Sequence, residues 1–570
     1  MRNIFFTLFF VGIHLSALAQ DTLEVSIDPS RFHVDEKNLM ILCQDNLEGY
    51  ASLTDSAEVR LLSGSDTCRF VEKQVILSHR SSYPVQKSDT IYQLFFTQLP
   101  VIQINSSASI PDEKKVSAKF EYTDDAQQLS ATIGIETRGG FSQSLPKKTY
   151  DLEFWEDETG ENSRDVQFGS LREDDDWVLD ALFNEPLRIR SYVSHKLWLF
   201  MHTPTYAADE PEAKAGANVM WTELFLDGTY RGIYALSEQV DRKLLKLKKF
   251  KEGEIRGELF KGENHGEAIE FKNVPSYDAI ARSWDGFELK YPEAVDTTEW
   301  TNLYRLVDFV VNSDPATFDS AVGGQFDLRN AIDYFIFLNL LRATDNRGKN
   351  IYVARYEADS PYFYVPWDLD GTWGIMWRGD RENITDDILV NGLYQRLIDE
   401  DTQDFNRLSA QRWSELRRGI LHEDAIASLI NQSYNRLLSN NIYEREQRVW
   451  SSYTYDTASM IYLKTWTEER LNFLDLYFDD LAPSTDDSLV LNTDPEPSEE
   501  VLRVYPNPAY GTINVEGNNM ASEIYELINS YGIVVKSGVV GQSISTFGIP
   551  PGFYILRTNN TTQRIIIANQ

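Results

Sequence analysis

At 570 residues the chain exceeds what one core can organise, and ordinary domain sizes divide it into about three folding units. Hydrophobic residues make up 42% and aromatics 12%, enough apolar surface for packed cores, which excludes wholesale disorder. The formal charge of −34 repels phosphate backbones and anionic lipid, so no nucleic-acid partner is expected.

The first predicted element is a leader. MRNIFFTLFFVGIHLSALAQ carries one basic residue, an apolar run and the small-x-small exit Ala17-Leu18-Ala19, the marks of a signal peptide over residues 1–19. No later segment is apolar enough for a transmembrane helix, so an exported protein without a membrane span is expected. Residues 21–96 alternate apolar and polar in short runs such as AEVRLLS and QVILSH, which predicts a small β-rich domain. Both cysteines, Cys43 and Cys68, fall there; two are too few for a zinc site, and an oxidising compartment favours a disulfide between them.

Strands and helices mix over 97–481. ATIGIETRGG and KKTYDLEFWE predict two strands joined by a Gly/Ser loop, and LRIRSYVSHKLWLFMH has the period of an amphipathic helix. VMWTELFLDGTYRGIYALSEQ predicts a hairpin around Asp227-Gly228, and NAIDYFIFLNLLRA, apolar nearly all round, a buried helix. Helical pattern continues from about 385 to 480. Residues 482–500, APSTDDSLVLNTDPEPSEE, form an acidic, Pro-containing linker, and 501–570 predict a separate β-sandwich of short alternating strands.

The chemistry concentrates in NLLRATDNRGKNIYVARYEADSPYFYVPWDLDGTWG. Two strands, 350–356 and 362–368, flank a loop at Glu357–Pro361. Symmetrical closure pairs Tyr356 with Tyr362 and sets Asn350 opposite Asp368, with Cβ atoms about 4.5–5.5 Å apart. An amide and a carboxylate so placed can share one hard cation. Asp345, at the end of the buried helix, lies beside them. An aspartate, an asparagine five residues on and a second aspartate beyond a hairpin is the order protein kinases use. Asp345 is therefore the candidate catalytic residue, Asn350 and Asp368 the metal ligands, and Asp370 a secondary metal candidate. Upstream, ETRGGFSQSLPKKTYDLEF supplies a Gly-containing turn, Ser142 and two lysines suited to phosphate. Lys148 shares strand parity with Tyr150, Leu152 and Phe154 and fits a cleft-directed ligand better than Lys147, although both stay open. Three stretches invite plainer readings. The seven Lys/Arg of 242–256 and the acidic REDDDW of 172–177 read as solvated surface, and DLDG lacks the later Glu of an EF-hand.

RGGFSQSLPKKTY, LRIRSYVSHKL, LDGTYRGIYALSEQVD, GELFKGE, RATDNRGKNIYVARY, PWDLDGTWG and the helical tail RWSELRRGIL with LKTWTEERLNFLDLYF together resemble the CotH (spore coat protein H) kinase family, over roughly 99–480. The resemblance implies an α+β fold with an atypical protein-kinase-like two-lobed domain. It implies phosphorylation of a protein Ser or Thr with ATP and Mg2+ or Mn2+, calcium staying open. By position it makes Asp345 catalytic, Asn350 and Asp368 metal ligands, and Lys148 or Lys147 the ATP phosphate contact. Arg138 and Ser142 fall in the phosphate turn and Glu238 near the nucleotide cleft. Gly140 and Phe141 replace two polar positions of the family's usual turn, and Ala343-Thr344 stand where ordinary protein kinases carry a histidine. The tail, with YPNPAYGTINV, ELINSYGIVVKSG and PPGFYILRT, resembles the C-terminal sorting domain of the type IX secretion system across 501–570. That implies a Gram-negative source, passage to the outer-membrane surface or beyond, and the secretion machinery as partner. The competing expectation is a catalytically silent surface adhesion or scaffold protein that keeps the fold. Glycan hydrolysis by an acid pair is weaker, since no aromatic groove flanked by two carboxylates stands out.

Overall fold

The computed structural model describes residues 22–47, 58–72, 77–293 and 298–482, with the strands of 503–567 and a few residues beside them. The leader 1–19 and nearly all of the linker 482–500 lie outside the described residues. The fold is mixed α+β.

The N-terminal part is one seven-stranded sheet built from Thr22–Ser26, Phe32–Asp35, Met40–Gln44, Glu58–Ser63, Asp66–Phe70, Ser82–Lys87 and Thr90–Thr97. Ile41, Leu61, Val85 and Leu94 are buried in its core. Cys43 and Cys68 are buried in the same core as free thiols, against the expected disulfide. Their strands are not neighbours, because Ser82–Lys87 and Thr90–Thr97 stand between them in the sheet. Burial pushes the Cys68 thiol up to about 11, so it is inert at neutral pH.

A closed seven-stranded barrel follows: Gln128–Arg138, Thr149–Trp155, Asp176–Asp180, Thr229–Glu238, Val219–Leu226, Val101–Ser106 and Val116–Thr123. Tyr150, Leu152 and Phe154 alternate inward and meet Phe120, Ile133, Trp177, Leu179 and Tyr234. The barrel closes where Val101–Ser106 pairs in parallel with Val219–Leu226. The hairpin predicted around Asp227-Gly228 forms: Leu226 pairs Thr229, and both turn residues take positive φ, 51° and 68°.

The remaining strands, Ser283–Trp284, Phe287–Tyr291, Glu258–Gly262, Ile351–Arg355 and Tyr362–Pro366, make a five-stranded sheet. Around it pack the helices Arg190–Met201, Thr301–Asn312, Pro315–Gln325, Leu328–Leu341, Gly392–Asp399, Phe405–Arg417, Glu423–Ser439, Ile442–Val449 and Ala458–Leu481. Trp198, Trp300, Phe335, Trp373, Trp466 and Phe478 share one large core there. The helix Leu328–Leu341 is buried from Asn330 to Leu341, as its all-round apolar sequence predicts. Arg190–Met201 differs from expectation: it is buried on every side through Trp198 and is not amphipathic. Its polar groups have internal partners, Arg190 with Glu185 and Lys196 with Asn218, so burial leaves them satisfied.

At the C-terminus a three-stranded sheet (Arg503–Tyr505, Thr512–Glu516, Ser543–Ser545) and a four-stranded sheet (Ile524–Asn529, Val534–Val539, Gly552–Arg557, Thr562–Ile567) share the apolar cluster of Ile513, Tyr525, Leu527, Tyr554 and Ile565. No helix among the described residues is long and apolar enough to cross a membrane.

Candidate active site

The helix Leu328–Leu341 ends on Arg342 in the left-handed conformation, and the chain turns directly into a 3₁₀ turn, Asp345–Arg347. The Asp345 carbonyl accepts the Lys349 amide at 2.8 Å, which tightens the loop. The Asp345 side chain keeps 22% of its surface exposed. Asn346, buried, binds the ends of both following strands: its amide donates to the carbonyls of Asn350 at 2.6 Å and Trp367 at 2.7 Å. Its own carbonyl accepts the Tyr334 hydroxyl at 2.8 Å.

The hairpin register corrects the expectation by one residue. Ile351 pairs Pro366 and Arg355 pairs Tyr362, so the loop runs 356–361 and Asn350 meets Trp367 rather than Asp368. Tyr356 leaves the ladder because its ring stacks on Tyr206 at 4.3 Å. The Trp367 amide donates to the Asn350 carbonyl at 3.1 Å. Asn350 and Asp368 both adopt φ of 54°, the left-handed region that Asn and Asp tolerate best, so the side chains leave the pleat at both strand ends.

In Trp367-Asp368-Leu369-Asp370-Gly371-Thr372-Trp373 the alternate residues anchor the segment. Leu369 is fully buried, its carbonyl accepts the Thr372 hydroxyl at 2.8 Å, and the Trp373 indole donates to Ser194 Oγ at 2.9 Å. Asp368 is open to water, yet burial among the surrounding protein is the first cause of its shift; a carboxylate in a cleft has both properties. Its pKa is pushed up to about 6, by burial first and then by the charges of Asp180 and Asp345, with Lys261 and Arg138 opposing. Asp370 is pushed well above the usual carboxylate range by burial, then by Asp368 and Asp180. Four carboxylates from three stretches of chain therefore share one field. Asp180, at the end of the strand Asp176–Asp180, was not foreseen; its only sequence signal was an acid closing an apolar strand.

The cationic side of the cleft comes from the barrel. Arg138 pairs with Asp151 at 2.9 Å and its guanidinium lies 5.7 Å from the Trp367 ring. Ser142 Oγ donates to the Arg138 carbonyl at 3.3 Å, closing the turn. Gly139 has φ of 95°, and a Cβ there would lie 2.1 Å from Ser142 Oγ, so this turn requires glycine. Of the two lysines the buried one is Lys147. Its ammonium donates to Glu446 at 2.8 Å and to the Ile233 carbonyl at 2.6 Å. Burial lowers its pKa to about 8, with Glu446 opposing. Glu446 also holds Arg188 at 2.9 Å, and the approach of its carboxylate requires Gly232, where a Cβ would lie 1.9 Å away. Lys148 instead donates to the Gln143 carbonyl of its own turn. Parity failed because pairing begins only at Thr149, opposite Arg138, and the residues before it lie outside the ladder.

Glu238 is not brought to the acidic field. Buried, it accepts the Arg172 amide at 2.7 Å and the Asn218 amide at 2.9 Å, and pairs with Lys214 at 3.0 Å. The basic stretch of 242–256 is helical only at Arg242–Leu245, and its lysines have acidic partners: Lys246 with Glu212 and Lys248 with Glu210, each at 2.8 Å. REDDDW is not simply solvated: Asp174 is 1% exposed, and with Asp165 and Asp175 its oxygens fall within 4.8 Å of one another. Arg172 and Lys243 already pair with that group.

Two segments of the chain match known family models, and together they define an exported protein of the CotH family. The model described as CotH kinase protein matches residues 135–474, more than half of the chain and every cleft residue from Arg138 to Glu446, and the chain belongs to that family. Residues 503–568 match the secretion system C-terminal sorting domain, which marks the chain for the secretion machinery and the cell surface or medium. Among individual relatives it is similar to the inner spore coat protein H of Bacillus subtilis (strain 168), 22% identical over 366 residues, which are 63% of this chain and 87% of that protein.

Proposed function

We propose that the protein is an exported atypical protein kinase that transfers the γ-phosphoryl group of ATP to a Ser or Thr hydroxyl of a protein substrate. The observation that carries this reading is the electrostatic field shared by Asp345, Asp368, Asp370 and Asp180 where one buried helix and one hairpin end, with Asn350 at the adjoining strand end and Arg138 of the barrel's turn opposing the charge. In this reading 97–481 is a two-lobed kinase-like domain, barrel lobe over helical lobe, and 501–570 a sorting β-sandwich for a Gram-negative outer membrane.

The donor set fits a divalent cation. After burial, Asp180 and Asp345 raise the proton affinity of Asp368, and Asp368 and Asp180 raise that of Asp370, so these carboxylates form a concentrated negative field of hard oxygens, to which Asn350 would add a neutral one. Asp368, Asp370 and Asn350 would hold Mg2+ or Mn2+, which would offset the negative charge of the ATP phosphates. Asp345 accepts the substrate hydroxyl's hydrogen bond and takes its proton as the oxygen attacks; the bond from the γ-phosphorus to the bridging oxygen breaks and ADP leaves. Lys147 paired with Glu446 parallels the lysine–glutamate pair that protein kinases align on ATP phosphates. Arg138 and the amides of its turn face the same phosphates.

Labelled ATP with Mg2+ or Mn2+ tests the reading. The purified protein should transfer label to itself or to a protein panel, and Asp345→Ala should lower the rate by about 10²–10⁴-fold, the range for a general base. Equal inactivity of both proteins with no nucleotide bound would contradict it. The second reading, a silent scaffold, draws on Phe141, exposed in the phosphate turn and edge-on to Trp377 at 4.7 Å where family members carry a polar residue. It predicts ligand binding indifferent to Asp345→Ala.

A further inference from the structure

Ala343-Thr344, not a histidine, stand directly before Asp345, but the fold supplies a histidine from elsewhere. The strand Glu258–Gly262 pairs with Ile351–Arg355, and the Asn350 amide donates to the Gly262 carbonyl at 2.9 Å, so the loop leaving Gly262 runs beside the Asp345 turn. His265 sits on that loop with Nε2 3.9 Å from Asp345 Oδ1 and Nδ1 2.9 Å from Glu270 Oε1. Its ring is 40% exposed, whereas Glu270 is 5% exposed and pairs through its other oxygen with Lys272 and, at 3.7 Å, with Arg347. Glu270 is also packed against the catalytic loop itself: a Cβ on Gly348 would lie 2.5 Å from Glu270 Cγ.

We propose that His265, oriented by Glu270, positions Asp345 and relays the substrate proton from it to solvent. The proposal rests on Asp345 being the base of the phosphotransfer above. An ionised carboxylate only accepts, so Glu270 fixes the proton of neutral His265 on Nδ1 and leaves the Nε2 lone pair toward Asp345. As the substrate oxygen bonds to the γ-phosphorus and ADP departs, the hydroxyl proton passes to Asp345, then through one water spanning the 3.9 Å gap to Nε2, and from the exposed imidazolium to solvent. The groups that face His265 are Asp345 and Glu270, with Lys272 and Arg347 behind the latter. Asp345 first, and then Glu270, raise the imidazole above its usual 6.5 against partial burial. An imidazolium cannot accept the relayed proton, so the rate should fall as pH drops through that raised value.

Two measurements on the full chain test this. By NMR, the titration of His265, assigned among the seven histidines by the signal lost in His265→Gln, should move to lower pH in Asp345→Asn and in Glu270→Gln. In phosphotransfer, His265→Gln should lower kcat by about 10–100-fold, the range for groups that orient a reacting ligand, and abolish the acid limb, with KM for ATP unchanged. An unmoved titration in Asp345→Asn, or a His265→Gln variant with wild-type rate and acid limb, would overturn the relay while leaving an Asp345-dependent kinase intact. Coupled titrations without any phosphotransfer by wild type would overturn the kinase reading, and the relay with it.

Discussion

Asn346 shows how much of the Asp345 loop rests on one side chain that is buried beneath it. Its amide supplies donors to two strand-end carbonyls, so Asn346→Ala should remove the side-chain donor from both, leaving the Asn350 carbonyl only the Trp367 amide. The expected cost is about 1–3 kcal/mol, read as a lower urea midpoint, together with weaker nucleotide binding as Asn350 and Asp368 lose their support. At this scale the sequence was partly legible. Asp345, Asn350 and Asp368 can be picked out as candidates because they sit at a helix end and at two strand ends; the spacing alone is one that an acidic chain also supplies by chance. Asn346 does not, because its partners are main-chain carbonyls that any sequence would present. Asp180 and His265 are invisible for a different reason: they reach the cleft from remote strands and loops.

Among the elements, the short helix Ile442–Val449 has an effect out of proportion to its length. It delivers Arg445 to Glu223 at 2.7 Å and Glu446 to Lys147 and Arg188, all fully buried. Glu446→Ala would strand two buried cations, and we expect a loss of about 3–5 kcal/mol in a denaturation experiment, with ATP binding lost in parallel. Lys147 gives this pairing a pH signature. Its pKa is near 8 in the folded protein against 10.5 when unperturbed, so between those values the unfolded chain binds more protons. Stability should therefore rise with pH from about 8 toward 10.5, and Lys147→Met should remove that rise in urea midpoints measured across the window. Lys147 and Glu446 lie 299 residues apart, which no local pattern can connect. The hairpin around Ile351–Arg355 was legible as a hairpin. Its register was not, because one aromatic stack on Tyr206 outweighed symmetrical closure.

For the whole molecule, local strings identified strands and helices, but not the barrel, whose closure depends on parallel pairing between Val101–Ser106 and Val219–Leu226. The family match and the sorting match fall on separate stretches of the chain, 135–474 and 503–568. Removing 503–568 should leave the protein inside the cell envelope on fractionation, while the purified truncated chain keeps its nucleotide affinity and its dependence on Asp345. Loss of both together would mean that the tail is part of the working site.

The central claim is that the acidic field at Asp345, Asn350, Asp368 and Asp370 is an ATP–metal site, and calorimetric titration with ATP tests it most directly. The account predicts binding that requires Mg2+ or Mn2+ and weakens by about tenfold or more, roughly 1.4 kcal/mol, in Asp368→Asn, but survives Asp345→Ala. Binding indifferent to the cation and to Asp368→Asn, or no binding in wild type, would contradict it.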